Sequence, residues 1–184
     1  MYSEIYGPSV FEHYEPRLFV TLLSAAEMHW HFYQGVQAAQ TGLYIPAVSS
    51  LLNGIEATLR VTLSQQKNGP GLIEPSPYKC LSNNLLLDAR AIGMQVELLA
   101  FPNELDFEAK LISQKPARKM VEIVRVRNNL CHGNVFEFIN TDLGEGNAFF
   151  TPECLEPLCV ALIDLSYRWC DSVSEFRANN LPKA

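Results

Sequence analysis

Positive charge is scarce in this chain. Its 184 residues carry 14 Lys and Arg against 20 Asp and Glu, a formal net charge of -6. A surface that coats nucleic acid needs a broad basic face, so that function class is disfavoured, while a small basic site inside a cleft stays compatible. Long apolar runs are missing as well, and none approaches the ~20 residues that span a bilayer. The opening Met1-Tyr2-Ser3-Glu4 has neither the basic region nor the apolar run of a signal peptide. These absences predict a cytoplasmic chain with no membrane partner. Cysteine is sparse and odd in number, at Cys80, Cys131, Cys154, Cys159 and Cys170, with no Cys-x-x-Cys pair. That excludes a disulfide framework and a structural zinc site, and predicts reduced, buried thiols. Repeats, low-complexity tracts and linkers are also absent. What remains is a composition of 48% hydrophobic and 18% charged residues, which suits one globular domain with its own core.

Apolar spacing then divides the chain. Residues 1–16 hold the breakers Gly7, Pro8 and Pro16 and read as an N-terminal arm before a helical domain over 17–180. Leu18, Phe19, Leu22, Leu23, Ala26, Trp30, Tyr33 and Val36 recur at helical spacing and predict one helix over 17–40. A second helix over 46–66 carries Val48, Leu51, Leu52, Ile55, Leu59 and Leu63 on one face, with Pro46 suited to its first turn. The two read as an antiparallel hairpin. Proline and glycine mark 67–78 as a loop. Further helices are expected over 81–100, with a weak point at Gly93, in a short piece around 106–113, and from 116 or 117 to 131. Gly133 stops the last of these. The stretch 135–150 reads as a small β-hairpin or ordered loop. Thr151-Pro152-Glu153 restarts a final helix with a cap and a first-turn proline, and a short polar tail ends the chain. The expected fold is an all-α, single-domain, up-and-down helical bundle.

Chemistry concentrates in Arg127-Asn128-Asn129-Leu130-Cys131-His132, at the end of an amphipathic segment and just before Gly133. Arg keeps its charge and grips phosphate bidentately, while His gives or takes a proton near neutral pH. Together they suffice to cut RNA without a metal or another cofactor. Five residues turn roughly 140° around a helix, so Arg127 and His132 do not share a face, whereas Asn128 and His132 stack. Unwinding at Gly133 would let His132 swing toward Arg127. Two copies across a two-fold axis would instead pair two Arg and two His around one cleft, and this dimeric solution is favoured. Neutral His132 would take the ribose 2′-OH proton, Arg127 would stabilise charge on the phosphoryl oxygens, and Asn128 would orient the imidazole or bond the phosphate. The plainer alternative makes His132 a C-terminal helix cap and Arg127 a solvated helix residue beside Arg125.

The string Arg127 to Gly133 resembles the motif of the HEPN superfamily: Arg, a polar residue, three more positions, then His at the end of a helix. That resemblance covers the motif and the general helical layout. It implies an α-helical bundle that dimerises so that paired motifs form a composite cleft. It also implies a metal-independent endoribonuclease of defence or toxin type, with RNA as substrate and an antitoxin protein as further partner. Non-catalytic RNA-, nucleotide- or protein-binding modules occur in the same superfamily. By the resemblance Arg127 and His132 are catalytic, Asn128 the polar helper and Asn129 a supporting residue. An acidic residue on an early helix is frequent in the superfamily, and Glu56 is placed to buttress Arg127. A local Glu56–Arg60 pair explains the same residue equally well.

Other residues are read as structural. His29 and His31 diverge by roughly 200° on a helix, which makes joint chelation poor and leaves them on its surface. Asp88 and Arg90 are expected in solvent or a local network, and Glu122 and Arg125 as a pair. Trp30, Tyr33 and Trp169 are expected in the core or a dimer interface.

Overall fold

The computed structural model describes residues 10–69, 79–142 and 144–181. The chain folds as one all-α bundle with α1 Arg17–Leu23, α2 Ala26–Gln40, α3 Tyr44–Asn68, α4 Asn83–Ala91, α5 Phe107–Leu111, α6 Glu122–Cys131 and α7 Glu156–Asn180. The predicted loop over 67–78 lies outside the described residues from 70 onward, and α3 itself runs to Asn68. The end of the polar tail, 182–184, lies outside them too.

The α2–α3 hairpin forms the centre. Leu43 N–H closes the end of α2 onto Ala38 O at 2.8 Å and turns the chain back. The two helices then approach closely at Gly54, where a Cβ would stand 2.8 Å from the Phe32 ring. Helix α7 covers the other side of α3 and buries Leu162, Leu165, Trp169 and Val173. Trp169 satisfies its indole by donating to Thr58 Oγ1 at 2.8 Å, so this large ring sits in the core without an orphaned donor. Trp30, by contrast, is on the surface against Tyr33.

Four departures from the sequence expectation have physical causes. The single helix over 17–40 is broken at Ser24, which adopts φ 48° and lets α1 pack on both α2 and α7. Phe19 is thereby stacked on Phe32 and Tyr167. His29 is buried rather than on the surface, and neither ring nitrogen has a hydrogen-bond partner among the described residues. The helix over 81–100 ends at Ala91, because Gly93 takes φ 97° and a single tight turn follows at Val96–Leu99. Helix α6 begins at Glu122 rather than near 116. Buried Asn83 explains this: its Nδ2 donates to Lys110 O and Lys119 O, and its Oδ1 accepts from Val121 N. The backbone groups of that segment are thus satisfied outside a helix.

Of the arm assigned to 1–16, residues 1–9 lie outside the description. Residues 10–16 place Phe11 and Tyr14 in the core, and Tyr14 donates to Asp164 at 2.6 Å. Between α6 and α7 the chain forms an ordered loop, with tight turns at Phe136–Phe138 and Glu145–Asn147. One antiparallel bridge, Asn140 to Phe149, is all the β-structure among its described residues. Thr151 precedes the final helical segment but makes no side-chain cap bond, and a tight turn over Pro152–Leu155 leads into α7. No helix among the described residues is long and apolar enough to cross a membrane.

Candidate active site

Helix α6 is positioned from both sides. Its buried face is Ile123, Val124 and Val126, which packs toward α3. Its first N–H lacks a cap from Val121 and instead donates to Glu104 Oε1 at 2.7 Å. Glu104 has a side chain only 2% exposed and is neutralised by Lys110 Nζ at 3.2 Å. A carboxylate at that end also complements the helix dipole.

Arg127 points inward. Its Nη2 meets Glu56 Oε2 at 3.2 Å, with side chains 21% and 12% exposed. The same carboxylate accepts Leu81 N–H at 2.8 Å and Arg60 Nη1 at 3.2 Å. Both readings of Glu56 therefore describe real contacts: it pairs with Arg60 one turn away and with Arg127 across helices. The Arg127 Nε is buried without a hydrogen-bond partner among the described residues. Such a donor loses its water without compensation, which holds the guanidinium in a strained solvation state.

The outer face carries a different arrangement. Arg125 bonds both Glu122 and Glu137, and its Nε reaches Glu122 Oε2 at 3.0 Å. Hydrogen bonding from Arg125, opposed by partial burial, holds the Glu122 carboxyl below its ordinary range. Asn129 Nδ2 donates to Glu137 Oε1 at 2.8 Å. Glu137 thus clamps the following loop onto the helix, a role that its place in an irregular stretch gave no means to foresee. Asp88 pairs with Lys79 and Arg90 with Glu108, as local networks.

His132 terminates α6. Gly133, at φ 71°, allows its own N–H to reach Leu130 O at 3.2 Å and Asn134 N–H to reach Asn129 O at 2.8 Å. The last carbonyls are therefore capped by backbone, and the exposed imidazole makes no hydrogen bond among the described residues. This weakens the alternative in which His132 serves as a side-chain cap. Asn128 does not orient the imidazole: its Nδ2 meets Met120 Sδ at 3.2 Å. Asn129 is engaged by the loop, not by Arg127 or His132. Arg127 and His132 likewise share no bond, in keeping with their roughly 140° offset. One chain thus supplies a fixed cation and a solvent-facing proton carrier on separate faces.

All five thiols are free. Burial pushes Cys159 up to about 12 and Cys170 well up, which suits inert core positions. Cys80 and Cys131 are exposed, contrary to the expectation of buried thiols. Among the described residues no group of three or more His, Cys, Asp or Glu is arranged to hold a metal ion. Comparison of the chain with protein-family models, curated proteins and solved structures finds no match.

Proposed function

We propose that this chain is a HEPN-like endoribonuclease that acts as a homodimer. The observation that carries this reading is the Glu56–Arg127 pair: a guanidinium fixed from within the bundle, five positions before an exposed, unbonded histidine. Fixing the cation in advance reduces reorganisation when phosphoryl charge develops. The separate faces of Arg127 and His132 favour a cleft completed by a second copy.

In such a cleft neutral His132 takes the proton from a ribose 2′-OH as that oxygen bonds to the adjacent phosphorus. The bond from phosphorus to the 5′-oxygen breaks, and the partner's His132 or water protonates the leaving oxygen. Arg127 stabilises the equatorial oxygens. Products carry a 2′,3′-cyclic phosphate and a 5′-hydroxyl, and DNA, without the nucleophile, resists. A defence or toxin role held by an antitoxin protein belongs to the same proposal.

A non-catalytic RNA-, nucleotide- or protein-binding module is the second reading, favoured by the net charge of -6. End-labelled structured RNA incubated with the protein in EDTA separates the two. Cleavage with cyclic phosphate ends, lost in Arg127→Ala and His132→Ala, is expected. Retained cleavage in both variants would remove the site assignment, and no cleavage by folded wild type would favour the binding module.

A further inference from the structure

We propose that Phe136 is a stacking platform for an unpaired nucleobase next to His132, so that the substrate is single-stranded RNA. The inference rests on the endoribonuclease reading. Phe136 is 77% exposed, the most solvent-accessible aromatic side chain among the described residues with large exposed apolar groups. Its backbone is nevertheless held. The adjacent Glu137 bonds Arg125 and Asn129, and Phe138, on its other side, packs against the core. A ring kept in water on a pinned turn gains nothing for the fold, since it forgoes burial.

Helix geometry says what it stands beside. Arg125, Asn129 and His132 fall at i, i+4 and i+7, one face of α6. Glu137 is tied to the first two, so the turn bearing Phe136 runs along the face that ends in His132. A base stacked there places its nucleotide next to the imidazole that accepts the 2′-OH proton.

Charge selects this mode of binding. A chain of net charge -6 gains little from phosphate contacts over a wide surface. Stacking on an aromatic face needs no positive charge and accepts any base. Bases in a duplex are already stacked on their neighbours and are not available to Phe136.

The test compares cleavage of one single-stranded oligoribonucleotide, free and annealed to its complement, by wild type, Phe136→Ala and Phe136→Tyr. Sedimentation of each protein is recorded in parallel. Expected are a KM for the single strand about tenfold higher in Phe136→Ala, near-wild-type KM in Phe136→Tyr, unchanged assembly, and resistance of the duplex. An unchanged KM in Phe136→Ala with active enzyme overturns the platform and leaves the ribonuclease standing. Weakened self-association in Phe136→Ala instead assigns the ring to a protein contact and also overturns it. A wild type that cleaves neither RNA removes the parent reading, and this inference with it.

Discussion

On the inner side of α6, Arg127 meets Glu56 among packed helices; on the outer side, Arg125 meets Glu122 and Glu137 nearer to solvent. The two arginines are two positions apart and differ in what their partners can do. Glu56 is held by three donors from α3, α6 and the segment before α4, so its position is overdetermined. Glu137 sits on a loop, and its bonds to Arg125 and Asn129 are what keep that loop in place. Inside, an ion pair is a part of the packing. Outside, it is a latch.

The largest expected effect that probes this contrast is Glu56→Gln. Removing the charge leaves Arg127 and Arg60 facing an amide in a poorly hydrated position, a loss of about 2 kcal/mol. Urea denaturation measures it, and a loss no larger than that of an outer-face variant would erase the distinction. Glu137→Ala should cost less than about 1 kcal/mol, as exposed ion pairs do. Its clearer signature is faster hydrogen exchange in residues 133–138, with the rest of the molecule unaffected. Smallest is His132→Ala, expected within about 0.5 kcal/mol of wild type because the ring is exposed and unbonded. Arg127→Ala is not equivalent, because it strips Glu56 of a partner. Loss of cleavage in His132→Ala at unchanged thermal stability is therefore the sharper evidence for chemistry.

Much of this was legible in the residues. Helical periodicity gave the α2–α3 hairpin and α7, since their faces are apolar over many turns and packing decides their state. The Glu56 alternatives were legible too, because one turn of helix fixes the Arg60 contact and the Arg127 contact needed only that α3 and α6 pack. The break at Ser24 was not, because no glycine or proline marks it and the cause is the aromatic stack of Phe19 with Phe32 and Tyr167. The late start of α6 depends on Asn83, which is remote in sequence and looks like any helix-starting amide. Glu104 and Glu137 escaped notice for the same reason: a lone acid in irregular chain has no pattern until its donor is known.

Gly133 has a further consequence, which concerns handedness. Its φ of 71° is where an L side chain is strained, yet nothing stands within 4 Å of where a Cβ would be built. The obstacle to substitution is therefore chirality and not space. The last turn of α6, and the direction in which it presents His132, is held by a backbone state that suits a mirror-image residue. A D-alanine there meets no strain and narrows the unfolded ensemble, so it fits the site better than its L counterpart.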